Sequence, residues 1–113
     1  MTRGLYVNGR AAHVGIRMAN RWWQRLVGLL TTPDLDHPSG LWITPCNSVH
    51  TLGMRYAIDV LFLDADGRVI KRVDHLRPWR ASSCLRARAT LELRAGLAEE
   101  LDVQVGQRVA LFP

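Results

Sequence analysis

The run Ile58-Asp59-Val60-Leu61-Phe62-Leu63 constrains this chain most. Its apolar side chains fall on both faces of an extended segment, so a strand built from it must be covered on both sides. Asp59 is the one exception. A bare buried charge is very costly, so this carboxylate has to be paired or hydrogen-bonded. Arg55 and the backbone N–H groups of loop 46–54 are the candidate partners in sequence. Asp64-Ala65-Asp66-Gly67 then reads as a turn, with Arg68 to Leu76 returning as the hairpin partner.

The flanking segments supply the covers. Leu5 to Val7 is a short strand, and Asn8-Gly9 offers the positive φ angles of a tight hairpin turn. Ala12, Val14, Ile16 and Met18 then alternate with Ala11, His13, Gly15 and Arg17, the period of a half-buried strand. Asn20 suits an N-cap, and Trp22, Trp23, Leu26, Val27, Leu29 and Leu30 recur at helical spacing, which predicts a helix over 21–30 before Pro33. Gly40 to Thr44 reads as a strand ended by Pro45. In Leu85 to Arg94 the even positions are Arg86, Arg88, Thr90, Glu92 and Arg94, which predicts one core face and one wet face. Leu97 to Leu101 is a helical turn and Gln107 to Phe112 a final strand.

The expected fold is therefore mainly β (α+β). It is a small antiparallel, partly open β-barrel or sandwich of six to seven strands, with the helix 21–30 covering an open end and a short turn at 97–101. The 113 residues suit a single domain, 1–113. Hydrophobic residues at 48% exclude a disordered chain. No stretch is long and apolar enough to cross a membrane as a helix, and Met1 to Arg10 lacks a signal peptide's apolar run. With only Cys46 and Cys84, both expected as thiols, a cytoplasmic location follows.

Charge is less ordinary. Of fifteen basic residues only Lys71 is not Arg, and the net charge is +5. Two basic blocks, 1–30 and 67–94, surround an acidic one. The Arg86, Arg88, Arg94 row could form a basic stripe, but no recognised nucleic-acid motif accompanies it. A solvated strand face is the default, and nucleic acid is not the expected partner.

The segment Pro45-Cys46-Asn47-Ser48-Val49-His50-Thr51-Leu52-Gly53-Met54-Arg55 concentrates groups that donate, accept, titrate or bind metal. Cys46 and His50, with His75 and Cys84, could in principle form a Cys2His2 set. The spacing matches no zinc finger, so no metal and no cofactor is expected. Cys46 and His50 could act as nucleophile and base oriented by Asp59, or His50 and Asp59 as an acid–base pair, though no nucleophile-elbow signature surrounds them. The alternative is a structural clasp, with His50, Ser48 and Thr51 bonded within their own loop. Arg77-Pro78-Trp79-Arg80 places two guanidinium forks around a flat ring, a pattern that binds carboxylate or phosphate. Otherwise it is a surface turn with Trp79 tucked over the core.

With Gly28-Leu29-Leu30, P-C-N-S-V-H-T-L-G-M-R from Pro45, I-D-V-L-F-L-D-A-D-G-R-V from Ile58, Pro78-Trp79, Leu91-Glu92-Leu93 with Ala95-Gly96, and Val105 to Val109, the chain resembles the uncharacterised prokaryotic family called domain of unknown function 192. The resemblance runs nearly end to end. It implies a compact, mainly β domain with a covering helix and a site near Pro45–Gly67, and it implies no reaction. Two departures stand out: Gly106-Gln107 replaces the family's usual Gly-Asp, and the export signal of many relatives is missing.

Three functions stay open. The first is a non-enzymatic binding or accessory domain for a small anionic ligand or a protein partner, using Ser48, His50, Thr51, Arg55, Asp59, Arg77, Trp79 and Arg80. The second is a hydrolase or transferase using His50, Asp59 and Cys46. The third is weak nucleic-acid binding by the Arg-rich face. No membrane partner is expected, and the oligomeric state is not readable.

Overall fold

A computed structural model describes residues 2–19 and 40–112. The helix expected at 21–30 lies outside them. The chain forms β1 (Thr2–Val7), β2 (Arg10–Ala19), β3 (Gly40–Ile43), β4 (Ser48–His50), β5 (Ile58–Leu63), β6 (Val69–Leu76), β7 (Ala81–Ser83), β8 (Ala89–Arg94), a short helix α1 (Leu97–Glu100) and β9 (Val109–Phe112).

Seven strands form one curled sheet in the order β6-β5-β8-β3-β2-β1-β9, and β4 and β7 form a separate two-stranded ribbon. The mainly β fold expected from the sequence, a partly open barrel or sandwich, is adopted in the form of a half-barrel. The main sheet holds the seven strands at the upper end of that expectation. The ribbon is an addition to it, because β4 and β7 are too short to show a period in sequence. One neighbour pair is also parallel rather than antiparallel: β2 runs alongside β3, Ile16 opposite Gly40. Parallel neighbours need a crossover of about a dozen residues or more, and residues 20–39 separate these two in the chain.

The sheet is nearly a closed barrel at one corner. Its two outermost strands meet where Arg68 bridges Arg108. There the Val69 N–H donates to the Gln107 carbonyl at 2.8 Å, and the Val109 N–H donates to the Gly67 carbonyl at 2.9 Å. Gln107 accepts the Gln104 N–H with its side-chain oxygen at 3.0 Å and so closes the preceding turn.

β5 is buried along its whole length, as its composition demands. Alternation splits it between two cores. Leu61 and Leu63 join Leu5, Ile16, Leu91, Leu93 and Leu97 in a cluster fed from around the curled sheet, which fills its concave side. Ile58, Val60 and Phe62 join Leu41, Ile43, Val49, Met54 and Leu76 in a second cluster on the opposite face, under the ribbon. This second layer changes the reading of Leu85 to Arg94. The strand begins only at Ala89, and its expected wet face is dry at Thr90 and Glu92, both fully buried. Glu92 sits between Leu41 and Val60 in register. The ribbon and the loops beside it cover the side that sequence alternation assigned to solvent.

Gly4 has a packing reason. A methyl group there would overlap the Phe112 ring, which lies across β1 and beside Tyr6, ring centroids 4.3 Å apart. At the β5–β6 turn, Asp64 accepts N–H bonds from Asp66 and Arg68, each at 2.9 Å. The Arg68 N–H above all holds its carboxyl below the usual carboxylate range.

Candidate functional site

Asp59 is completely buried. Its Oδ1 accepts the His75 N–H at 2.9 Å, and its Oδ2 accepts the Gly96 and Ala98 N–H groups at 3.0 Å each. Gly96 is the N-cap of α1, with φ 92° and no side-chain cap of its own. A helix start normally takes an oxygen from a neighbouring Ser, Thr, Asn or Asp. Here the oxygen arrives from a strand 37 residues earlier. Neither Arg55 nor loop 46–54 is Asp59's partner. The carboxylate serves the α1 side of the sheet, whereas Val49 and Met54 root loop 46–54 in the opposite cluster. The structure therefore does not bring Asp59 and His50 together.

The remaining candidates do gather. β4 and β7 pair with Ser48 opposite Ser83 and His50 opposite Ala81. Lys71 Nζ ties the ribbon to β6 through the Ser83 carbonyl at 2.9 Å. Just beyond the pairing, Thr51 is fully buried and latches the 77–80 turn. Its hydroxyl donates to the Arg77 carbonyl at 2.5 Å and accepts the Arg80 N–H at 2.9 Å. Its backbone N–H reaches the Arg80 carbonyl at 2.8 Å, and its carbonyl takes the Trp79 N–H at 3.0 Å. Thr51 is thus saturated by the latch and positions the turn.

The latch holds the Trp79 backbone in the left-handed region, φ 63°. Such a conformation in a bulky residue is strained. The side chain is not tucked over the core but 64% exposed, and Leu52 beside the latch is 49% exposed. His50, Arg55, Arg77 and Arg80 are exposed in the segments that meet at the latch, and Ser48 is exposed two residues along β4 from His50. Arg80 Nη1 donates to the Trp79 carbonyl at 3.3 Å, which draws its guanidinium toward the ring's own backbone.

Cys46 is half-buried, and its thiol donates to the Ser48 carbonyl at 3.1 Å. Cys84 is half-buried too, its N–H bonded to the Asn47 carbonyl at 2.9 Å. No three His, Cys, Asp or Glu side chains converge as a metal-binding group among the described residues. The Arg86, Arg88, Arg94 row does not exist as a stripe. Arg86 and Arg88 precede β8, and Arg94 at its end pairs with Glu100 at 3.3 Å. Leu85, expected on the core face of a strand, is 87% exposed in the turn before β8, and Leu52, given no role of its own within the 45–55 segment, is 49% exposed.

Fold and site together define a small half-barrel β domain with a cationic ledge on its outer ribbon. The chain belongs to the DUF192 family, Uncharacterized ACR, whose model matches residues 5–111. A UPF0127 protein of Pyrococcus furiosus is 32% identical over 107 residues, spanning 89% of this chain and 90% of that protein. A UPF0127 protein of Pyrococcus horikoshii is 38% identical over 103 residues, spanning 86% and 87%. Among solved structures, one from Sinorhizobium meliloti 1021, described provisionally as a transcription regulator, superposes with a TM-score of 0.83 at 19% identity, covering 98% of this chain and 94% of its own. A protein of unknown function from Novosphingobium aromaticivorans superposes with a TM-score of 0.82, also at 19% identity, covering 96% and 84%. At that identity the likeness is one of fold. No helix among the described residues is long and apolar enough to cross a membrane.

Proposed function

We propose that the chain is a non-enzymatic binding domain of the cytoplasm. Its recognition surface is the ledge of Trp79, Leu52, His50, Ser48, Arg55, Arg77 and Arg80, for an anionic small molecule or the acidic surface of a protein partner. The observation that carries this reading is Trp79, an exposed indole on a strained backbone between two arginines. Folding gains little net from a ring that is 64% exposed and held at a conformational cost, and such outliers gather at binding sites. Guanidinium forks match carboxylate or phosphate, and the indole supplies a flat apolar face. The hydrolase or transferase reading needs Asp59 near His50 with a free oxygen, and both Asp59 oxygens already hold backbone N–H groups.

The test is an amide-shift titration with inorganic phosphate, citrate and a glutamate-rich peptide. At least one should shift the 50–55 and 77–80 amides, and His50→Ala and Arg80→Ala should lose the response while keeping the wild-type circular dichroism spectrum. Unfolding of both variants would mean that the cluster is only a clasp.

A further inference from the structure

Segments 40–57 and 75–88, which contain the ribbon and its loops, hold Arg55, Arg77, Arg80, Arg86 and Arg88 and not one Asp or Glu. Those five charges equal the whole chain's net +5. None of the five forms an ion pair among the described residues. The excess seen in the composition is thus carried by these two acid-free segments.

The ribbon face has two ends. One is the Trp79 ledge. The other is a groove of about 600 Å³ lined by Pro45–Asn47 and Leu85–Arg88. This volume lies within the ordinary range of ligand sites. Ala87 is buried there, Arg86 and Arg88 are exposed, and Leu85 stands 87% exposed at the tip of a turn closed by the Ala87 N–H on the Cys84 carbonyl. Between the ends, Ser48, His50, Ala81 and Ser83 are exposed. From His50 to Cys46 an extended backbone covers roughly 13 Å, at ~3.3 Å per residue.

We infer that the whole face is a docking surface for an extended acidic segment of another polypeptide, one that carries a hydrophobic side chain. The inference rests on the ledge reading and extends it to the far end of the ribbon. Carboxylates of the partner meet arginines at both ends, and its apolar side chain enters the groove beside Leu85. Three observations select this occupant. Five arginines in segments without a single acid call for a polyanion. The groove is concave, which suits a side chain and not a flat lipid surface. Single-stranded nucleic acid stacks successive bases on several aromatic faces, and Trp79 is the one exposed Trp, Tyr or Phe ring of these segments among the described residues.

The experiment uses four probes on the full chain: a labelled peptide of alternating Glu and Leu, its Gln–Leu counterpart, an oligothymidylate, and phosphatidylglycerol vesicles. Anisotropy reads the first three and co-sedimentation the last. The Glu–Leu peptide should bind roughly tenfold more tightly than its Gln–Leu counterpart, the oligothymidylate or the vesicles. Arg86→Glu with Arg88→Glu should weaken it roughly tenfold, and so should Arg77→Glu with Arg80→Glu. Circular dichroism confirms that each pair folds, and Gln at the same positions serves wherever a charge reversal does not. If the 77/80 pair matters and the 86/88 pair does not, the inference is overturned while the ledge reading stands. If neither pair matters, both fall. Tighter binding of the oligothymidylate or the vesicles also overturns it.

Discussion

Replacing Asp59 tests whether the buried carboxylate is a structural device. Asp59→Ala removes the acceptor for three backbone N–H groups at once, those of His75, Gly96 and Ala98. Each buried N–H left unmet costs about 1–3 kcal/mol. Some relaxation toward water is expected, so the sum is about 3–5 kcal/mol, against a total stability of about 5–15 kcal/mol for a domain. Asp59→Asn keeps one oxygen. Turned toward Gly96 and Ala98, it satisfies two donors and leaves His75 facing an amide N–H, at a cost of about 1–3 kcal/mol. The predicted order of stability is Asp, then Asn, then Ala, measured by urea unfolding followed by circular dichroism. Hydrogen exchange adds a local signature: the His75 amide should lose the most protection in the Asn variant, and the His75, Gly96 and Ala98 amides together in the Ala variant. The reasoning fails if the Asp59→Ala variant has a stability within about 1 kcal/mol of wild type, or if Asn rescues nothing relative to Ala.

Other outcomes follow from the same geometry. Thr51→Val should destabilise by about 2–4 kcal/mol, since it orphans the Arg80 N–H and the Arg77 carbonyl, and exchange at the Arg80 amide should speed up first. Trp79→Gly should leave stability within about 1 kcal/mol of wild type. Relief of left-handed strain, about 1–2 kcal/mol, offsets loss of the side chain's small buried part, about 2 kcal/mol at ~25 cal/mol per Å²; a loss well beyond this would make the ring structural. For pH, the Asp64 carboxyl lies below its ordinary value of 3.8 in the folded chain, held there chiefly by the Arg68 N–H. Its contribution is therefore complete above pH 3.8 and disappears as pH falls through the lower folded value. A carboxyl-carbon NMR titration should find that depressed value, and Asp64→Asn should flatten the acid limb of the stability curve.

What was legible in the sequence was local. Period-two alternation and turn residues located β1, β2, β5, β6 and their hairpins, because those elements pair with neighbours a few residues away. Burial of β5 on both sides followed from composition alone. The same logic misread Leu85 to Arg94: alternation reports what a strand's own residues prefer, and Glu92 is dry because of a ribbon formed elsewhere. Asp59 is the clearest case at the site. Its cost in an apolar strand was evident, but its partners are backbone groups, which every residue has and no sequence marks. Loop 46–54 drew attention by its chemistry, and part of that chemistry, in Thr51, goes into holding a turn. The turn it holds carries the exposed Trp79.

The seam between Gly67–Val69 and the Gln107–Val109 stretch has a consequence for how the chain is made. β9 pairs with β1, Gly4 against Phe112, and the same C-terminal stretch then reaches β6. Every other strand of the sheet leaves the ribosome before the one that joins its two edges. Until then the concave core is an open trough with Leu5, Val7 and Val69 along its rims. Contacts that span nearly the whole chain form slowly, so the nascent protein passes through a stage in which an aggregation-prone edge is exposed. Chaperone engagement during synthesis should therefore end abruptly with the emergence of residues 107–112 rather than decline strand by strand.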